Sequence, residues 1–589
     1  MTQPRLPLRY QLPWWAFQLI GVLCLLIGIT LTLHPFQSLL LLSRLITVGL
    51  LLVGLFQAVT ATTASRPWVA VVIGCGWMIA GILSAVWAGL TFHALTIIIG
   101  LLLLASGLVK IGVALRTTDE RLLLVLGGVA NLIFGLLALT APAATVLVLA
   151  LLFGIYVGIF GILQMARAFA LRTASTEISP RPAQPWSPRW RMAGTVLTLL
   201  LALAGLTLSV QLRWAQPAAP GPFYHFPTPL PTGSPGTIIR TEPIANEYAD
   251  AELYRMLYLS TGYDGQPTAV SGLIIIPTTP PPAAGRPVIA WTHGTVGVAP
   301  NCAPSLIPEA LYRRPLPGLT EFLAAGYVIV ATDYQGLGTV GPHPYLVGTS
   351  AAMNALDSVR AVQTFPAANA TSDFVVWGES QGGHTALFTG QLAGSYAPEL
   401  HLRGVVASAP AADLTALFKS KIAEPEAVGN LLVAMALNAW SQVYPEAQLD
   451  DVVLPAARSL VRSISRNCIQ NSLQVQRSIP AATLLNLVFF RGSPLAVAPW
   501  SQILLENTPG HERTAAPILI AQGESDQVID PAVQAHFAAQ LCAAGDSVDY
   551  RTYPGIGHLA IALETTAEVA QWVADRFAGL PAASTCATG

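Results

Sequence analysis

Charged side chains are scarce in this sequence. Asp, Glu, Lys and Arg make up 10% of its 589 residues, against roughly 25% in ordinary soluble domains. The formal net charge is −1, so no basic surplus exists to hold a nucleic acid. Neither Cys-x-x-Cys nor His-Glu-x-x-His occurs, which leaves a metal site without support, and no cofactor is expected. Hydrophobic residues instead reach 53%, too many for a water-soluble globule of this length.

They are unevenly spread. Residues 1–212 hold nearly all the long apolar runs, 237–589 read as a globular domain, and 213–236 form a proline-rich linker. Prolines at 217, 220, 222, 227, 229, 231 and 235 exclude regular helix there and predict a stiff spacer.

Seven stretches are long and apolar enough to span a bilayer, near 14–33, 38–60, 68–90, 94–115, 121–140, 144–166 and 192–211. A cleaved signal peptide would be one shorter run, which excludes that alternative. The first six spans pair into three hairpins of one repeat. Gly21, Gly74 and Gly128 recur at intervals of 53 and 54, as do Gly28, Gly81 and Gly135, and Gly54, Gly107 and Gly161. Pro35 and Pro142 take matching turn positions, and Gln57, Lys110 and Gln164 share one register near helix ends, from which they could reach the interface. Small residues in register suit close helix packing in lipid. This half resembles small bacterial membrane proteins built from glycine-rich repeats and associated with acid resistance.

Basic residues set the orientation. Arg5 and Arg9 precede the first span, Arg66 lies in the second connection, Arg116 and Arg121 in the fourth, and five arginines crowd the sixth. The first, third and fifth connections have none, and only Arg44, inside the second span, departs from the pattern. The N-terminus is therefore expected in the cytoplasm, and an odd number of spans carries everything after residue 212 outside. Cys302, Cys468, Cys542 and Cys586 form an even set in the exported part, where disulfides persist, and three pairings are open.

In the exported half, "ELYRMLYLS" and "AVSGLIIIP" read as an antiparallel hairpin. Short apolar strands follow, "PVIAWTH", "GYVIVATDY", "DFVVWGES", "RGVVASAP" and "APILIAQGE", with helices expected at 350–366, 381–394 and 531–543. Buried strands alternating with helices predict an α/β fold with a doubly wound, mainly parallel sheet. Residues from about 411 to 510 break the alternation and are expected to form a helical cap over the site.

"GESQG" places Ser380 between a strand and a helix, as a serine nucleophile is presented. Gly378 and Gly382 permit the tight turn, and the Gln381 N–H opens the helix, suited to an oxyanion. The acid should follow and the histidine come last. Asp526 stands directly after a strand, ahead of Asp530, a good helix N-cap, and Glu524, which is nearer the strand end. His558 lies on a glycine-rich loop; His384 reads as packing, and His511 precedes the acid. "WTHGTVG" offers the second oxyanion amide, Thr295 with Gly294 close behind, while His293 could serve as a structural hydrogen-bonder.

These stretches, with "FYHFPTPLPTGSPGTIIRTEPI", "DYQGLGTVGPHPYLVG" and "NALDSVRA", resemble the secretory lipase family of α/β-hydrolases over about 222–578. The resemblance implies a Ser380–Asp526–His558 triad and hydrolysis of acyl esters. It also implies a Cys302–Cys468 disulfide, which leaves Cys542 with Cys586. Seven spans in place of a cleaved leader imply a molecule held in the bilayer, whose partners are an acyl ester or lipid substrate and the membrane itself. Two rivals stand beside this expectation: an acyltransferase using the same triad, and a stress-response or transport module carrying an accessory hydrolase.

Overall fold

The computed structural model describes residues 14–33, 88–118, 120–140, 188–245, 249–307 and 316–586, with scattered positions in 51–82 and 155–169. The chain divides into two units, Met1–Trp214 with Thr483–Val488, and Ala215–Ala482 with Phe489–Gly589.

The described helices of the first unit are apolar. They include α1 (Trp14–Leu33), α2 (Ala88–Ala114), α3 (Arg121–Thr140) and α4 (Pro188–Trp214). Among the described residues, Ile97–Ala114, Arg121–Thr140 and Met192–Gln211 are long and apolar enough to cross a membrane. The expected spans at 14–33, 94–115, 121–140 and 192–211 fall on helices. Those at 38–60, 68–90 and 144–166 lie largely outside the described residues, so the count of seven is not established. One boundary is corrected, because α2 already begins at Ala88, inside the third expected span.

The glycines in register bring helix backbones together. A methyl added to Gly107 would stand 2.8 Å from the Gly128 carbonyl, and one on Gly128 would stand 3.0 Å from the Gly107 carbonyl. Gly21 and Gly161 face each other in the same way, at 2.9 and 2.7 Å. Both contacts join helices of different expected hairpins, so the shared glycines pack one repeat against another.

The second unit is built on a nine-stranded sheet of order β1-β2-β3-β5-β4-β6-β7-β8-β9. Strands β1 (Ile238–Ile244), β2 (Ala251–Thr261) and β3 (Pro267–Pro277) form an antiparallel meander whose last strand runs antiparallel to β5 (Val328–Thr332). The others run parallel: β4 (Arg286–Thr292), β5, β6 (Ala370–Glu379), β7 (His401–Ser408), β8 (Ile518–Gly523) and β9 (Val548–Tyr553). The chain leaves β4 to one side for β5 and returns on the other for β6, which makes the carboxyl end of β4 a topological switch point.

Successive residues of the central strands serve opposite faces, as a two-residue period requires. Val288, Val330 and Val376 join the core under α5 (Gly348–Gln363) and α6 (Gln381–Tyr396). Ile289, Ile329 and Val375 join the core on the other side with Trp572 and Val573. Each such side chain contributes about 1.5–3 kcal/mol by burial. Two strands escaped the sequence reading. Strand β1 carries Pro243, the mark of an edge, and β9 has Asp549 and Arg551 inside it, which hid its period.

Between β7 and β8 the described structure is helical apart from one bridge, Val453 to Phe490. Helices α7 (Leu414–Ala423), α8 (Ala427–Val443), α9 (Pro455–Ser465) and α10 (Ser472–Val488) lie in this insertion. Cys302, after β4, is joined to Cys468 of the insertion, and Cys542 to Cys586.

The proline-rich stretch is docked on the second unit over part of its length. Ala215 and Gln216 accept hydrogen bonds from the Gln474 side chain and the Cys468 N–H, and buried Tyr224 meets Ser305 at 2.8 Å. Proline supplies stiffness, and these polar contacts with one aromatic anchor fix the path.

Candidate active site

Ser380 sits where β6 turns into α6, with φ +58° and ψ −116°. A side chain rarely adopts that conformation, and the surroundings hold it in place. Its N–H donates to the Ser408 carbonyl (2.9 Å), and its own carbonyl accepts from the N–H groups of His384 and Ala411 (both 3.0 Å). The turn closes because two glycines leave room for backbone. A methyl on Gly378 would stand 2.2 Å from the Gly382 carbonyl oxygen, and one on Gly382 only 1.8 Å from that of Thr292.

His558 reaches this serine from the loop after β9. Its Nε2 lies 2.9 Å from Ser380 Oγ and its Nδ1 lies 2.8 Å from Asp526 Oδ2. An ionised carboxylate only accepts, so Nδ1 carries the proton and Nε2 offers its lone pair to the serine. Asp526 follows β8. Its Oδ1 accepts from the N–H groups of Val528 and Ile529 (both 2.8 Å), and its Oδ2 also accepts from Gln522 Nε2 (3.1 Å). Burial alone would raise the Asp526 pKa, but the hydrogen bond and charge of His558 with the two amides outweigh it and hold the carboxyl below its ordinary value.

The competing residues have other duties. Asp530 caps the helix Pro531–Ala543 by accepting from the Ala532 N–H (2.8 Å), and Glu524 is exposed. His384 is buried in α6 with Nε2 2.7 Å from the Asn507 carbonyl, and burial pushes its pKa down to about 4. His511 is exposed and bonds the Leu505 carbonyl. His293 bonds the backbone carbonyls of Gly294 and Asp333 and is lowered in pKa by burial, so it acts structurally.

Gln381 is the first residue of α6, and its N–H therefore has no intrahelical carbonyl to bond. Thr295 lines one cavity with Ser380, and its hydroxyl lies 2.9 Å from that of Tyr345. Gly294 instead lies against Glu379, whose Oε2 would be 3.1 Å from a methyl at that position. The cavity measures about 60 Å³, and its far walls come from the cap residues Leu414, Leu417, Phe418 and Val433.

Two features carried no signal in the sequence reading. Glu379 Oε1 lies 4.0 Å from His558 Nε2, a second carboxylate beside the imidazole. Its place next to the nucleophile could have flagged it, although any residue type fits there. The other is Asp333, fully buried at the end of β5 and bonded by Ser271 Oγ (2.6 Å), the Ser305 N–H (3.0 Å) and Ser305 Oγ. Burial raises its pKa despite those donors.

The secretory lipase family model matches residues 317–585, and a short repeat of unknown function, DUF308, matches 19–83, 72–130 and 126–179. The three repeat matches begin 53 and 54 residues apart, the intervals of the glycines. Among curated relatives, a probable inactive lipase of Mycobacterium tuberculosis is 24% identical over 63% of this chain and 85% of its own. Lipase 10 of Candida albicans is 26% identical over 66% and 88%. Among solved structures, Candida antarctica lipase A in its closed state is 19% identical with a TM-score of 0.54, covering 62% of this chain and 88% of that one. A mutant form of the rice cell wall degrading esterase LipA of Xanthomonas oryzae gives 0.51 at 19% identity, over 59% and 100%. These likenesses show the α/β-hydrolase fold. The chain thus carries DUF308 matches in its first half and a secretory lipase match in its second, which supports a carboxylic ester hydrolase that is triacylglycerol lipase-like.

Proposed function

We propose that the chain is a membrane-tethered, extracytoplasmic serine esterase or lipase working through Ser380, His558 and Asp526. The observation that carries this reading is the unbroken run from Asp526 Oδ2 through His558 to Ser380 Oγ, at 2.8 and 2.9 Å, on a strained nucleophile turn. His558 takes the serine proton as Oγ attacks the ester carbonyl, and Asp526 stabilises the imidazolium that forms. The N–H groups of Gln381 and Thr295 receive the oxyanion, and His558 returns the proton to the leaving alcohol. Water, activated by the same imidazole, then releases the acid from the acyl-serine.

The apolar cavity beside Ser380 suits an acyl chain. The tether is supported by the apolar helices and the DUF308 matches, and the outward side by the arginine pattern of the connections. A relative bears the name of an inactive lipase, but here every triad position is filled and in hydrogen-bond reach. The test compares membranes bearing the intact chain with membranes bearing Ser380→Ala, each given p-nitrophenyl esters of graded chain length. Hydrolysis that disappears in the variant supports the reading; equal hydrolysis in both refutes it.

A further inference from the structure

Lys110 stands on α2, four residues before its end, and is the only lysine among the first 214 residues. Those residues hold three carboxylates, Asp119, Glu120 and Glu177, all outside the expected spans. A lysine near a helix end can extend outward to the water boundary. Lys110 does the reverse. In the amide orientation that satisfies every partner, Asn131 Oδ1 accepts from Lys110 Nζ (3.2 Å) and Ser106 Oγ (3.0 Å), while its nitrogen donates to the Gly127 carbonyl (3.3 Å). Asn131 lies ten residues into α3, about 15 Å along the helix from Arg121 at its mouth. The ammonium is thus turned away from the connecting loop and into the span.

Gly127 borders the ammonium without crowding it. A methyl there would stand 3.7 Å from Lys110 Nζ and 3.7 Å from Thr195 Cγ2 of α4. Of the three ammonium donors one goes to Asn131, and the other two meet no further acceptor among the described residues. Lys110, Ser106 and Asn131 are each half-buried, so the group is open on its lipid side, flanked by exposed Leu108 and Val109. The repeat does not demand a cation here, since the matching positions in the other copies are Gln57 and Gln164.

A half-buried cation held by one neutral acceptor, with apolar flanks, leaves a place for an anionic partner. We infer that Lys110 and its Ser106–Asn131 cradle bind the head oxyanion of an acyl amphiphile, whether a lipid phosphate or a fatty-acid carboxylate. The inference rests on the membrane reading of the first unit and is independent of the hydrolase reading.

The experiment uses the full chain in mild non-ionic detergent with equimolar phosphatidylglycerol, phosphatidylethanolamine and oleate. Native mass spectrometry then reads what is retained on wild type, Lys110→Arg and Lys110→Gln, the last reproducing the residue of the other repeats. Wild type and Lys110→Arg should retain an anionic amphiphile over phosphatidylethanolamine. Retained phosphatidylglycerol would identify a phosphate head and retained oleate a carboxylate. In Lys110→Gln retention should fall about fivefold, the share of one lysine charge against an anionic lipid. Unchanged helical circular dichroism and melting temperature across the three check that each is folded. Equal retention by Lys110→Gln, or no preference for the anionic species, would overturn the proposal.

Discussion

The Asp526 carboxylate is committed through both oxygens, one to the His558 Nδ1–H at 2.8 Å and the other to the amides of Val528 and Ile529. The loop after β8 thereby fixes the carboxylate, and the carboxylate fixes the tautomer of His558. Asp526→Asn should leave the fold intact yet offer the imidazole an N–H where it needs an acceptor. The expected loss in kcat is about 10⁴-fold, read by steady-state kinetics on a soluble ester.

The same residue predicts a pH dependence of stability. Its folded pKa is depressed, so its contribution is complete above the ordinary carboxylate value and is lost as pH falls through the lower folded value. Denaturant titrations across that acid range should show wild type losing stability more steeply than Asp526→Asn. Parallel curves would contradict the assignment.

The nucleophile turn depends on bare backbone. Gly382→Ala places a methyl 1.8 Å from the Thr292 carbonyl, which cannot withdraw because β4 holds it in the sheet. Misplacing Ser380 should cost about 10²-fold in activity and about 1–3 kcal/mol of stability. Gly394→Ala on the same helix meets nothing within 4 Å and should keep full activity, with a stability gain of about 0.5–1 kcal/mol.

The Cys302–Cys468 bond ties the loop after β4 to the insertion across 166 residues. Cys468→Ser should lower stability by about 2–5 kcal/mol, seen as a lower melting temperature that reductant no longer changes through this bond.

The cavity beside Ser380 is lined by apolar cap side chains, so those walls should set which acyl chains fit. Phe418, stacked at 5.5 Å on buried Trp440, closes part of its wall. Phe418→Ala should move the optimum of kcat/KM toward longer p-nitrophenyl esters, and an unchanged profile would argue against this wall.

Ser380 and Asp526 stood out in the sequence because each follows a recognisable strand, whereas His558 follows β9, whose period was hidden, and was singled out by its glycine-flanked loop and by the chain order that set His511 aside. The bond to Asn507 that occupies His384 was not legible, since it joins residues 123 apart. The period of 53 and 54 was visible because glycines at helix contacts cannot be replaced by larger residues at those separations. Glu379 beside His558 escaped notice because nothing in the sequence tells which way a side chain next to a nucleophile points. The docking of Tyr224 escaped for a related reason: proline content reports stiffness, while its partner Ser305 lies 81 residues away.

The most direct measurement treats intact cells expressing the chain with a membrane-impermeant fluorophosphonate and maps the adduct by peptide mass spectrometry. The account predicts one adduct, on Ser380, formed without permeabilisation and absent in His558→Ala. No adduct on Ser380, or labelling only after the membrane is opened, would contradict it.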